Sequence, residues 1–305
     1  MIASPHCAGK IQIKKVQLAN SETLAYRETG EGEKVILLIH GNMASSKYWE
    51  RLMYKFPPEY KIYAPDLRGN GLSTYNKPVE TIEELSSDLK LLVDKLELRD
   101  LYLLGWSFGG GVAMEFCADY PGIARKLVLM ESLSYKGYPH PRLDDYDCPI
   151  PGQFLTTKEE VLQIGAEPLA SHLKNRDFDG MRAIWEKIIF NVKIPDENWY
   201  QELIEDIFLT KNYPDCAWAW HNFNISNEHN MTSMGNNKVA NIKLPTLCTW
   251  AENDMVRMIS KDTCEETARA LNAEFHILKN CGHAPHIDQE EKFLELLTAF
   301  FEADP

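Results

Sequence analysis

The constraint that narrows the fold most is a turn. Leu101-Tyr102-Leu103-Leu104 is an apolar run of strand length, Val112-Ala113-Met114-Glu115-Phe116-Cys117 reads as helix, and Gly105-Trp106-Ser107-Phe108-Gly109 joins the two. A strand that passes directly into a helix needs so tight a backbone that side chains two residues before and after its apex would strike the neighbouring elements. Glycines stand at those positions. The apex serine, Ser107, is thereby held out from the turn near a helix N-terminus, which makes it a candidate nucleophile.

The rest of the amino-terminal part fits such a turn. Short β-rich runs near 10–18, 22–28, 34–39, 61–65, 100–106 and 126–131 alternate with helical patterns, as β-α-β units on a mostly parallel sheet require. Ile82, Leu85, Leu89, Leu92, Val93 and Leu96 fall on one face at helical spacing, so 81–97 is an amphipathic helix packed on that sheet. After Glu131 the alternation stops. Thr157 to Ile164, Phe178 to Phe190, Asp196 to Leu209 and Asp215 to Phe223 read as helices, and strands return only at 245–250 and 274–278, with helices at 260–271 and 289–302. The expected architecture is α/β: a core of 1–132 and 241–305, with an all-helical cap, 133–240, inserted after strand six.

A serine attacks an acyl carbon only if a base takes its proton and an acid holds that base in the right tautomer. Cys281-Gly282-His283-Ala284-Pro285 lies between the last strand and the last helix, where a loop lowers an imidazole onto the sheet edge, so His283 is the candidate base. Asp254, in Ala251-Glu252-Asn253-Asp254 after the strand at 245–250, is the first choice of acid. Glu252 and Glu131, also near strand ends, remain alternatives. The oxyanion of the tetrahedral intermediate needs fixed N–H donors. Phe108 supplies one, and the loop Ile39-His40-Gly41-Asn42-Met43 a second, from Asn42 or alternatively Met43. His40 reads as a buried brace of that loop.

Charge and cysteine usage exclude several other classes. The formal charge of −13 is spread along 305 residues without a basic cluster, which disfavours nucleic acid and anionic membrane. Seven cysteines, Cys7 included, form no Cys-x-x-Cys pair, and several lie in apolar runs, as in a reducing compartment. The segment after Met1-Ile2-Ala3-Ser4-Pro5-His6 is polar, and no stretch is long enough to span a membrane. A soluble cytoplasmic protein, monomer or homodimer, is expected. Neither a cysteine cluster nor paired carboxylates at metal spacing nor a phosphate-binding glycine loop is present, so no metal or cofactor is implied.

His40-Gly41, Asp66-Leu67-Arg68-Gly69-Asn70-Gly71-Leu72-Ser73, Gly105-Trp106-Ser107-Phe108-Gly109-Gly110, Ala251-Glu252-Asn253-Asp254 and Gly282-His283 occur in the order and spacing of the α/β-hydrolase superfamily. The chain resembles its small, capped bacterial esterase-type members. That resemblance implies Ser107, Asp254 and His283 as the triad, Asn42 and Phe108 as the oxyanion hole, and 133–240 as the cap. It also implies that Asp66 and Arg68 brace a structural turn. Ala251 stands where many members have glycine. A serine at the apex disfavours haloalkane dehalogenase and epoxide hydrolase activity, since those branches resemble each other in using aspartate there.

The cap is rich in aromatic side chains, and a lid over Ser107 presents some of them to substrate. Trp185 and Trp218 in the cap, with Met43 and Trp106 in the core, are the expected pocket wall. The expected function is hydrolysis of small apolar carboxylic esters, lactones or thioesters by a serine hydrolase. Carbon–carbon bond hydrolysis is the alternative within the enzyme class, although the fuller glycine-rich oxyanion loop of such enzymes is replaced here by Asn42-Met43-Ala44. A receptor-like binding protein with vestigial hydrolysis is the alternative outside it.

Overall fold

Among the described residues ten strands carry the topology: β1 (Gln12–Gln17), β2 (Thr23–Thr29), β3 (Lys34–Ile39), β4 (Tyr60–Pro65), β5 (Leu101–Trp106), β6 (Ala124–Met130), β7 (Pro141–Leu143), β8 (Pro149–Phe154), β9 (Thr246–Ala251) and β10 (Glu274–Leu278). A computed structural model describes residues 9–146, 148–167 and 169–303. Eight strands form one sheet in the order β1-β2-β4-β3-β5-β6-β9-β10. β1 and β2, and β2 and β4, pair antiparallel, and every later neighbour is parallel.

Strand chemistry explains this order. β5 is buried at all six positions, as a strand covered by helices on both faces must be, and it takes the centre. β1, QIKKVQ, is largely exposed and lies at the edge, where its lysines discourage pairing with another chain. From β3 the chain moves outward to β4, whereas from β5 it moves the opposite way to β6. The carboxyl ends of β3 and β5 therefore flank a crevice that no connection covers, the usual place for a site in an open α/β sheet.

The helix Ile82–Lys95 buries Ile82, Leu85, Leu89, Leu92 and Val93 against this sheet, and Thr81 caps it by accepting the Glu84 N–H. Between β6 and β9 the chain departs from the sheet and forms helices Leu169–Asn175, Phe178–Ile188, Glu197–Ile207 and Tyr213–Asn222. The all-helical insertion expected over 133–240 is therefore corrected, because this segment also contains strands. β7 and β8 pair as a short antiparallel hairpin in which Pro141 faces Phe154, and Val161–Gly165 is a π-helical turn closed by Ala166 N–H donating to the Val161 carbonyl at 2.9 Å. Pro141, Pro149, Pro151 and Gly152 give the hairpin the composition of a loop, and only pairing across the gap makes it a strand pair. Buried apolar side chains of this segment and of the sheet form one continuous core.

Of the cysteines, Cys7 lies outside the described residues. Cys117, Cys216, Cys248, Cys264 and Cys281 are buried and unpaired, while Cys148 is exposed. Among the described residues, no helix is long and apolar enough to cross a membrane.

Candidate active site

Ser107 directly follows β5 with φ of +56°, a conformation that costs on the order of 1–3 kcal/mol for a residue with a side chain. Three backbone hydrogen bonds hold it there. Its N–H donates to the Met130 carbonyl at 2.9 Å, and its own carbonyl accepts from Gly110 N–H at 2.9 Å and Leu133 N–H at 3.0 Å. The flanking glycines are required by contact: a methyl on Gly105 would stand 2.5 Å from the Gly109 carbonyl oxygen, and one on Gly109 would stand 2.4 Å from that of His40. Ser107 opens the helix Phe108–Asp119. Phe108, as the first helical residue, has an N–H with no intrahelical acceptor, so the helix directs a free donor and its positive dipole end toward the serine.

The loop after β10 brings His283 to the same crevice. Its Nδ1 lies 2.8 Å from Asp254 Oδ2, with both side chains almost wholly buried. Asp254 accepting at Nδ1 leaves Nε2 of the imidazole as the acceptor for a hydroxyl proton. Trp106 fixes the loop by donating from Nε1 to the His283 carbonyl at 2.7 Å.

The other two carboxylates have different partners. Glu252 accepts the Asn280 N–H at 2.7 Å and so ties the Asp254 loop to the His283 loop. Glu131 is fully buried, with Oε1 accepting from Thr249 Oγ1 at 2.9 Å and Oε2 from Ala251 N–H at 2.6 Å, and it braces the end of β9 from which Asp254 springs. Burial, reinforced by the Asp254 charge, pushes the Glu131 carboxyl up to about 8. A carboxyl raised this way binds more protons folded than unfolded. Its contribution to stability is present below the ordinary glutamate range and is lost as pH rises toward 8. The stability of Glu131→Gln relative to the parent should therefore increase by a few kcal/mol between about pH 4.5 and 8. Urea midpoints across that range test it, and a pH-independent difference would refute the burial argument.

On the β3 side, His40 is fully buried and, through desolvation, held below its ordinary pKa. Its Nε2 accepts the Leu67 N–H at 2.9 Å and its Nδ1 donates to the Gly41 carbonyl at 2.7 Å, so it fastens the Gly41-Asn42-Met43 loop to the turn after β4. That turn is itself braced. Asp66 accepts the backbone N–H groups of Ser46 and Leu72, each at 2.8 Å, and Arg68 makes a two-pronged ion pair with Asp88 at 2.7 and 2.8 Å. Met43 has φ of +55°, and Asn42 Oδ1 is buried without a hydrogen-bond partner among the described residues.

These loops and the segment above them enclose a cavity of about 130 Å³. Ser107, His283, Asn42, Phe108, Met43, Trp106 and Trp185 all line it. Trp185 is held by its Nε1 donating to Tyr48 Oη at 3.1 Å. Trp218 does not line it. It stacks on His221 at 5.6 Å, and Trp220 takes the expected place in the wall, packed edge-on to Phe108 at 5.8 Å. Residues two apart on a helix lie about 200° apart, so only one of the two tryptophans can face Ser107. A signal for this was present in the sequence. Tyr213, Cys216, Ala217 and Trp220 form a buried stripe at helical spacing that omits Trp218.

The sequence reading also passes over His286, three residues after His283. It is fully buried between Trp49 and Trp106, with ring centroids 4.7 and 5.0 Å away and neither nitrogen bonded among the described residues. Burial holds it neutral, with its pKa pushed down to about 3. No cluster of three or more His, Cys, Asp or Glu side chains is placed to hold a metal ion among the described residues.

A strained serine at a strand–helix turn on a mostly parallel sheet, with a histidine and a carboxylate delivered by later loops, defines a structural class. The chain belongs to the α/β-hydrolase fold family, whose sequence model matches residues 34–290. It is similar to 2-hydroxy-6-oxononadienedioate/2-hydroxy-6-oxononatrienedioate hydrolase 1 of Pseudomonas putida, at 23% identity over 283 residues and 90% of each chain. Among solved structures it is similar to the esterase EaEST of Exiguobacterium antarcticum, with a TM-score of 0.74, 18% identity and coverage of 96% of this chain and 100% of that one. It is also similar to a bromoperoxidase of Bacillus anthracis, with a TM-score of 0.72, 20% identity and coverage of 96% and 100%. The hydrolase framework is thus established, and structural likeness at these identities reports the fold.

Proposed function

We propose that the protein is a serine hydrolase of small, uncharged carboxylic esters, with lactones and thioesters as chemically equivalent substrates. In this reading Ser107 Oγ attacks the acyl carbon as His283 Nε2 takes the hydroxyl proton, and Asp254 stabilises the imidazolium through Nδ1. The oxyanion meets Phe108 N–H and the N–H of Asn42 or Met43. Collapse breaks the acyl–oxygen bond, and His283 returns the proton to the leaving alkoxide. Water, deprotonated by the same histidine, then releases the acyl group from Ser107. The arrangement of a base and an acid around the serine supports turnover over ligand binding alone.

The observation that carries the substrate class is the wall of the cavity. Apart from the His283 imidazole, no lining side chain is ionisable at neutral pH, and none is lysine or arginine. The named substrate of the Pseudomonas putida relative is a dioate. A carboxylate held inside this cavity would lose its hydration without a cationic partner in the wall, a cost that buried ions do not recover. The net charge of −13 adds long-range repulsion of a dianion, whereas a neutral ester meets neither penalty. Hence kcat/KM for p-nitrophenyl butanoate should exceed that for a vinylogous diketone dicarboxylate by at least about 100-fold. Equal or inverted values in a paired steady-state assay would overturn the ester reading in favour of carbon–carbon bond hydrolysis.

A further inference from the structure

The cavity at Ser107 is small for the substrate-binding part of an enzyme, since ligand pockets usually occupy roughly 300–1,000 Å³. A second cavity of about 210 Å³ adjoins it, and Tyr213, Trp220, Val256 and Met258 line both. Only the two together reach the usual range. The outer chamber is bounded by Pro141 and Leu143 of the hairpin, by Leu155, and by Ile164 and Gly165 of the π-helical turn, and the exposed residues Glu167 and Arg257 also line it. Leu143 and Ile164 are 37% and 53% exposed, so its mouth presents apolar side chains to solvent, a feature that marks a binding surface when it is continuous with a pocket. π-Helical turns are rare and often occur at functional sites.

The partition between the chambers is a fixed object. Trp220 donates from Nε1 to His140 Nε2 at 3.3 Å. His140 in turn donates from Nδ1 to His221 Nδ1 at 3.2 Å, and that nitrogen also accepts the His140 backbone N–H at 3.0 Å. Each histidine is satisfied only as the neutral imidazole, and burial depresses both pKa values, to about 3 and about 4. Gly165 permits the contact that closes this end, because a methyl there would stand 2.9 Å from the His140 ring. The Trp220 indole is therefore locked with one side toward Ser107 and the other toward the outer chamber.

We infer that the substrate hydrolysed at Ser107 carries an unbranched apolar chain of medium length that passes Trp220 and occupies the outer chamber. This rests on the serine-hydrolase reading above. Such a chain is on the acyl or the alcohol side of the ester, and its chemistry is the same on either. Burying each methylene in the outer chamber adds affinity that a short ester cannot gain.

The test is binding to Ser107→Ala protein, where turnover plays no part, followed by tryptophan fluorescence with methyl octanoate, octyl acetate and methyl propanoate. At least one of the two long esters should bind at least about tenfold more tightly than methyl propanoate, and which one does identifies the side that bears the chain. Adding Ile164→Glu, or separately Leu143→Asp, places a further negative charge among the apolar side chains of the outer chamber, at a solvent-exposed position that folding tolerates. Each should remove most of that advantage while changing methyl propanoate affinity by no more than about twofold. An unchanged ratio of long to short esters in both variants, or an equal loss for all three esters, overturns the inference. A parallel turnover assay with the Ser107 protein separates the two readings. Absence of ester hydrolysis at every length refutes the proposed function, and the binding ratio still decides the chamber.

Discussion

Ser107→Ala is expected to lower kcat for ester hydrolysis by a factor of about 10⁴ or more while leaving the urea midpoint close to that of the parent. The two halves of this expectation have separate causes. The bonds that hold residue 107 run through its backbone, to Met130, Gly110 and Leu133, and alanine keeps all three. In the proposed mechanism the hydroxyl oxygen forms the acyl bond, and water in its place lacks its position above the helix N-terminus. A fluorophosphonate should label Ser107 in the parent and nothing in the variant. The buried thiols are poor competitors, since burial pushes those of Cys117 and Cys248 up to about 12. Near-parental turnover by folded Ser107→Ala protein would end the nucleophile assignment.

The second large effect separates three carboxylates that a sequence reader would have to rank. Asp254→Asn should cost about 10³–10⁴ in kcat with little change in KM, because an amide can donate to Nδ1 and turn the imidazole to the wrong tautomer. Glu252→Gln should cost less than about tenfold, since its role is a hydrogen bond to the Asn280 N–H, which an amide oxygen also accepts. Glu131→Gln should fall between them at most, acting through the position of β9 and not through the imidazole. The comparison is made on kcat under saturating ester. Equal, mild losses across the three would remove Asp254 from its role.

The acid shows where sequence reading reaches its limit. That a carboxylate must follow one of the late strands comes from chemistry and strand order. That the better candidate is Asp254 and not Glu131 rests on which side chain lies 2.8 Å from His283, a contact across 29 residues made by two separate loops. The segment between β6 and β9 shows the same limit. Its helices were legible because the packed face of a helix recurs in the sequence at a 3.6-residue period. The β7–β8 hairpin was not, because a proline-rich, solvent-exposed pair has neither period nor composition to announce it.

What the sequence determined by itself was everything encoded within about ten residues: the strand–serine–helix turn with its glycines, the order of strands and amphipathic helices, and the loops able to carry a base and a donor. The tertiary structure alone decided which aromatics of the segment between β6 and β9 line the cavity at the serine, with Trp220 in its wall and Trp218 against His221, and that a second cavity adjoins it at the indole. The physical reason is range. Turns and helices are closed by neighbours along the chain, whereas a cavity is the space left when segments more than 100 residues apart, such as Phe108 and Trp220, come to rest against each other.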